Sequence, residues 1–143
     1  MLIERLESLL PHVGAMRMLA AVVRWADDDI ECVAHSHHDP ANPLRIDGVL
    51  PAACGLEYGA QAMAIHGALV AGRDAKPRVG LLVAAHELEW RVARLDTVAG
   101  ELTVRARRLL GSAQQVAYEF DVLAADCDYA LVSGRASVML AVA

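Results

Sequence analysis

The hydrophobic pattern of this sequence changes its period along the chain. Leu2, Leu6 and Leu9 recur at helical spacing with Ile3 and Leu10 beside them, which predicts a short amphipathic helix over residues 2–9 ended by Pro11. Residues 18–25 are β-branched and apolar, break at Asp27-Asp28-Asp29, and are followed by a returning strand over 30–37. Pro40, Asn42 and Pro43 make the next stretch a loop, which runs through Asp47-Gly48 to Pro51. From Pro51 to Ala71, 21 residues carry a single charge, Glu57, and are apolar, alanine or glycine on nearly every face. Such a helix is buried, and Pro51 suits its first turn. After a polar loop over 72–77 the period falls to two. Residues 79–92, 98–110, 116–122 and 129–142 read as strands, with Leu102, Val104 and Ala106 alternating against Thr103, Arg105 and Arg107. Four long strands joined by short turns predict an antiparallel meander. The whole pattern is α+β: a curved antiparallel sheet of about six strands around one long helix over 51–71, in a single domain over 1–143.

Charge and composition narrow the picture. The long helix has the length to span a bilayer, but Glu57 and Gln61 form one polar patch at i, i+4 and no Lys/Arg cluster flanks it, so a helix wrapped by a sheet is the better reading. A net charge of -5 without a basic run argues against nucleic acid as partner. Three cysteines, Cys32, Cys54 and Cys127, lack CxxC spacing and suit a reducing compartment. Acids at Glu4 and Glu7 interrupt any signal-like run, so a cytoplasmic location is expected. Aromatic residues make up 4% of the chain, which leaves Ala, Val and Leu to fill the core.

Candidate chemistry centres on Glu57. A carboxylate alone in an apolar helix is costly unless satisfied. Burial would raise its pKa and suit it to general acid work; the structural alternative is a carboxylate held by backbone or by Gln61. Gln61, one turn on, is expected to orient Glu57 or to pack at a subunit seam. His12, after Pro11, is a candidate base or a hydrogen-bonding cap. His35, His37 and His38 resemble a metal cluster, with His35 and His37 on one strand face. No HExxH motif or cysteine spacing supports zinc, so a surface cluster and no metal are expected. His66 lies nine residues after Glu57, about two and a half turns on, and points to packing. His86 and Glu87 fall mid-strand, where a solvated or interfacial role is the default. Cys54 sits where a helix start would lower a thiol pKa, but without a basic partner it reads as a packing residue. Arg73, Lys76 and Arg78 form either a solvated loop or a patch for an acidic partner or a phosphate.

Leu10-Pro11-His12, Asn42-Pro43 and the helix signature Glu57-x-x-Ala60-Gln61, taken in that order, resemble the hotdog-fold β-hydroxyacyl-acyl-carrier-protein dehydratases over essentially the whole chain. The likeness leans toward the divergent branch found in aryl-polyene and related fatty-acid or polyketide-type lipid clusters. The resemblance implies a homodimer that pairs long strands into a continuous sheet, while a heterodimer with a related dehydratase and a higher oligomer stay open. It also implies two tunnels at the interface, each built from a helix carboxylate of one protomer and a histidine of the other. The substrate would arrive on the phosphopantetheine arm of an acyl carrier protein, with no cofactor of the protein's own. Glu57, six residues after Pro51, matches the family's carboxylate. Gly55 or its neighbours would supply the oxyanion contact at the helix start, with Gln61 and Gly48 as further substrate contacts. The family's His-Phe-Pro-Gly segment is missing: the matching stretch, Pro43 to Leu50, holds no histidine. His12 is the first replacement, and His37 or His38, close in sequence to the missing segment, could also reach the tunnel from the partner protomer. The expected reaction is loss of water from a 3-hydroxyacyl thioester by a hydro-lyase. The rivals are a hotdog acyl thioesterase and a non-catalytic subunit of a dehydratase heterodimer.

Overall fold

A computed structural model of the chain describes residues 16–72, 78–112 and 114–142. The expected helix over 2–9 and His12 lie outside these residues. Strands β1 (Ala21–Trp25) and β2 (Asp29–Ala34) form the first hairpin. The buried helix α1 (Gly55–Ala71) follows, then β3 (Arg78–Trp90), β4 (Leu102–Gly111), β5 (Gln115–Ala124) and β6 (Val132–Val142). All six strands join one antiparallel sheet in the order β1-β2-β4-β5-β6-β3. This is the hotdog architecture. Its inner face presents Ile30, Cys32 and Ala34, then Leu102, Val104 and Ala106, then Tyr118, Phe120 and Val122, all buried against α1.

Several sequence expectations are corrected here. The last four strands are not a plain meander, because β3 pairs with β6 at the far edge and leaves β4 to pair with β2. Residues 91–101 are a loop, so the strands expected over 79–92 and 98–110 end at Trp90 and begin at Leu102. Their apolar members Leu95 and Val98 anchor a loop that clasps the entry to α1: Leu95 N–H donates to Leu50 O at 2.8 Å and Ala52 N–H to Ala93 O at 3.1 Å. Pro51 stands in extended backbone, bridged to Arg94, so the helix does not start there. A 3₁₀ turn over Ala52–Cys54 precedes α1. The second strand stops at Ala34, and Ser36–His38 form another 3₁₀ turn, so His35 and His37 do not share a strand face.

Where α1 meets the sheet, absence of a side chain sets the spacing. A Cβ on Gly59 would lie 2.5 Å from the Phe120 ring, and one on Gly55 would lie 2.9 Å from Val132. The opposite, outer face of the sheet is charged, with signs alternating strand by strand. Arg24 on β1 pairs with Asp29 on β2 at 3.0 Å, Arg105 on β4 with Asp121 on β5 at 3.0 Å, and Arg107 with Glu119. Arg135 on β6 approaches Glu87 on β3 at 3.6 Å. Glu87 adopts a left-handed φ of 53° within a bulge that puts one extra residue on the edge strand between His86 and Glu89. The bulge turns Leu88 inward, toward Gly134.

Candidate functional site

The entry to α1 gathers the polar groups that the apolar helix body lacks. Glu57 sits in the first turn of α1, half-buried, where a carboxylate also complements the positive helix end. The i, i+4 spacing seen in the sequence brings Gln61 under it: Gln61 Nε2 donates to Glu57 Oε1 at 3.1 Å. The same amide is tied at both ends to the segment before β1. Nε2 also donates to Met16 O at 2.7 Å, and Oε1 accepts from Met18 N–H at 2.8 Å. Gln61 is buried and its amide engaged, so it acts here as a positioning group for Glu57.

Tyr58 opens a second chain of hydrogen bonds from the neighbouring helix position. Ser36 Oγ donates to Met18 O at 2.7 Å, so the Tyr58 hydroxyl, also 2.7 Å from that oxygen, is the donor of the pair. Asn42 Nδ2 reaches Tyr58 OH at 3.4 Å and Ser36 O at 3.0 Å, while its Oδ1 caps Leu44 N–H. Burial raises the Tyr58 pKa, which keeps its proton available to this network. The sequence flagged Asn42-Pro43 as a loop and as part of the family resemblance; Ser36 and Tyr58 carried no spacing signal.

The remaining candidates fall in distinct places. Gly55 N–H is engaged inside the 3₁₀ turn, toward Ala52 O and Ala53 O, and the residue's small size admits Val132. Gly48, with φ of 80°, and Asp47, with φ of 50°, close a two-residue turn between Ile46 and Val49. Arg45 Nη1 donates to Gly48 O at 2.8 Å. Cys54 stands beside Glu57, and burial, then that carboxylate, push its thiol up rather than down. His66 is fully buried: Nε2 donates to Ala26 O at 2.8 Å and Nδ1 pairs with Tyr118 OH at 2.7 Å. His37 and His38 both direct Nε2 to Val98 O, at 3.2 and 2.5 Å. Among the described residues no three His, Cys, Asp or Glu side chains converge as a metal site. His86 is exposed on β3, opposite Arg135. Arg73 and Lys76 lie outside the described residues, as does the side chain of Arg78.

A concavity of about 510 Å³ lies on the outer sheet face, lined by the paired Arg and carboxylate ladder and not by Glu57. Each of its four arginines is paired with a carboxylate, which marks it as solvated surface. Asp96 is the polar group sequence reasoning missed altogether. It accepts Leu50 N–H at 2.9 Å and holds Arg94 Nη2 at 2.5 Å, fixing the residues that lead into α1. Among the described residues no helix is long and apolar enough to cross a membrane.

The profile of the ApeP dehydratase family, ApeP-like, matches residues 4–141. No curated protein matches the chain. Among solved structures, the dehydratase heterocomplex ApeI:P from Xenorhabdus doucetiae superposes with a TM-score of 0.83 at 20% identity, covering 99% of this chain and 91% of that one. Thioesterase HI1161 from Haemophilus influenzae follows with a TM-score of 0.68 at 15% identity, again over 99% and 91%. AziG from S. sahachiroi gives 0.60 at 17% identity over 92% and 96%.

Proposed function

This chain belongs to the ApeP-like dehydratase family, and from that premise we propose that it removes water from 3-hydroxyacyl thioesters carried by an acyl carrier protein. The observation that carries the reading is the half-buried carboxyl of Glu57, set at the start of an otherwise apolar helix and steered by a fully engaged Gln61. In the proposed reaction a histidine takes the α-proton as the C–O bond at the β-carbon breaks. Glu57 delivers its proton to the departing hydroxyl, and the products are a trans-2-enoyl thioester and water. Backbone N–H groups at the start of α1 would polarise the thioester carbonyl. Gly55's own N–H is engaged in its turn, so a neighbour is the better donor and Gly55 serves by letting the helix start approach β6.

His12 is our proposed base. The support is positional: Met16, four residues later in the sequence, shares Gln61 with Glu57. The expected assembly is a dimer through the long edge strand β3, with a tunnel completed by the second protomer. Mass spectrometry of a 3-hydroxyacyl carrier protein incubated with the full chain tests the reading. The expected result is loss of one water, abolished by Glu57→Gln and by His12→Ala. A free carrier thiol would instead make the protein a thioesterase, in which Glu57 activates water.

A second reading has its own observation. The stretch from Pro43 to Leu50 carries no histidine, and its Arg45 binds Gly48 O and His37 O and closes the loop on itself. A protein built this way would complete another dehydratase's tunnel as a heterodimer subunit. It would leave the acyl chain unchanged alone and restore turnover when mixed with that partner.

A further inference from the structure

Two imidazoles converge on one carbonyl at the helix entry. His37 and His38 each present Nε2 to Val98 O, at 3.2 and 2.5 Å, and their rings lie 3.9 Å apart. A carbonyl oxygen only accepts, so both contacts are N–H donations and use both of its lone pairs. The two residues stand at the head of the 36–50 loop, and Val98 stands in the 91–101 loop. The same two loops grip the residues leading into α1: Leu95 N–H donates to Leu50 O, Ala52 N–H to Ala93 O, and Leu50 N–H to Asp96. The histidine pair is therefore a fastener between the two arms of the clasp, and Arg45 Nη2, 3.0 Å from His37 O, holds its back.

His37 differs from its neighbour in one respect. It is fully buried, and its Nδ1 has no hydrogen-bond partner. Protonation would place a full charge on a buried ring whose Nδ1 has no hydrogen-bond partner, and burial opposes that charge more strongly than the backbone carbonyls of Val98 and Gly100 favour it. The charged and titratable groups around it make matters worse. On its own segment these are His35 and His38, and the Arg45 guanidinium lies on its carbonyl. Among the described residues no carboxylate acts on the His37 ring: Asp39 holds Ala41 N–H and, on the facing loop, Asp96 holds Arg94 and Leu50 N–H.

We propose that His37 and His38 form an acid-released latch, in which proton uptake by His37 detaches the 36–50 loop from Val98 and loosens the entry to α1. Burial, then His38, lower the His37 pKa, in keeping with this geometry. The sign follows. The open state binds the proton more readily than the closed one, so the latch is fully closed above the ordinary histidine value of about 6.5 and opens as pH falls below it. The latch stands apart from whatever chemistry Glu57 performs and acts on access to it.

Hydrogen exchange of the full chain tests the proposal. After correction for the chemical exchange rate, peptides covering 36–50 and 91–101 should lose protection between pH 7.5 and 5.5, by up to about tenfold per pH unit for one proton. Peptides from β4 and β5 should not change. His37→Gln keeps an N–H donor near the Nε2 position and cannot titrate, so its protection should stay flat, while His38→Gln should fall as the parent does. A flat profile in the parent, or a fall of equal size in His37→Gln, would overturn the latch. If His37→Gln does not fold, the imidazole resonances of the parent decide. The His37 signal should titrate below the ordinary histidine value, together with the loop amides; titration without amide opening would overturn the proposal.

Discussion

The body of α1 and its entry are both buried, yet they are held by contacts of different kinds. Along the body, Gly59 lies against the Phe120 ring and His66 has partners on both ring nitrogens. Shape and saturated hydrogen bonds do the work, and a change there is a packing fault. At the entry, Leu50–Ala52 pair with a loop rather than a strand, and Asp96, Gln61, His37 and Arg45 tie the arrangement together. These ties run through ionisable or polar side chains, so the entry is adjustable in a way that the body is not. Two buried histidines, His66 and His37, make the difference plain: one is saturated, the other has a bare Nδ1.

Four substitutions sharpen or break this contrast. Glu57→Gln, at the entry, should lower dehydration by at least about a hundredfold, within the usual range for losing a general acid, while the thermal midpoint barely moves. Equal loss of fold and turnover would make Glu57 structural. Gly59→Ala, in the body, forces a methyl into the Phe120 ring and should cost about 3 kcal/mol, the upper part of the overpacking range. Urea unfolding measures it, and a cost near zero would mean that the body adapts as freely as the entry. Tyr118→Phe removes the hydroxyl on His66 Nδ1 and should cost about 1–2 kcal/mol, again read in urea.

The smallest effect at neutral pH belongs to Asp96→Asn, because the Arg94 side chain is 41% exposed and such pairs contribute little. Its signature is the acid limb. Hydrogen bonds from Arg94 hold the Asp96 carboxyl well below the usual carboxylate range. The folded state therefore keeps it ionised where the unfolded chain, with a value of about 3.9, takes up a proton. The stabilisation is complete above about pH 4 and is lost as pH falls further. Stability measured from pH 7 to 3 should fall less steeply in Asp96→Asn than in the parent, the remaining limb belonging to carboxylates such as Asp29.

How much of this could be read from sequence depends on the range of the interaction. Alternation in 102–107 and 116–122 reports a local fact, one face in and one face out, and the strands are where it places them. The Glu57–Gln61 contact is equally local, fixed by helix geometry. The position of β3 is not, because its neighbour is decided by how the sheet closes around α1. Residues 91–92 and 98–101 misread as strand because apolar anchors such as Val92 and Val98 look the same whether they face a helix or pin a loop. His37 was hidden for a related reason. Nothing in its neighbours says that the strand stops at Ala34 and that a carbonyl 61 residues away receives its ring.

The charged outer face of the sheet has a consequence for how the chain finds its fold. In sheet order the strands read basic, acidic, basic, acidic, basic, acidic, from Arg24 through Asp29, Arg107, Glu119 and Arg135 to Glu87. Like charges directly opposite one another repel across strands. Each strand thus carries a parity, and only neighbours of opposite parity match. Mispairings such as β2 with β5, or β4 with β6, are penalised before any core has formed. Individually the exposed pairs add little to the stability of the finished sheet; together they act as proofreading while it is being laid down.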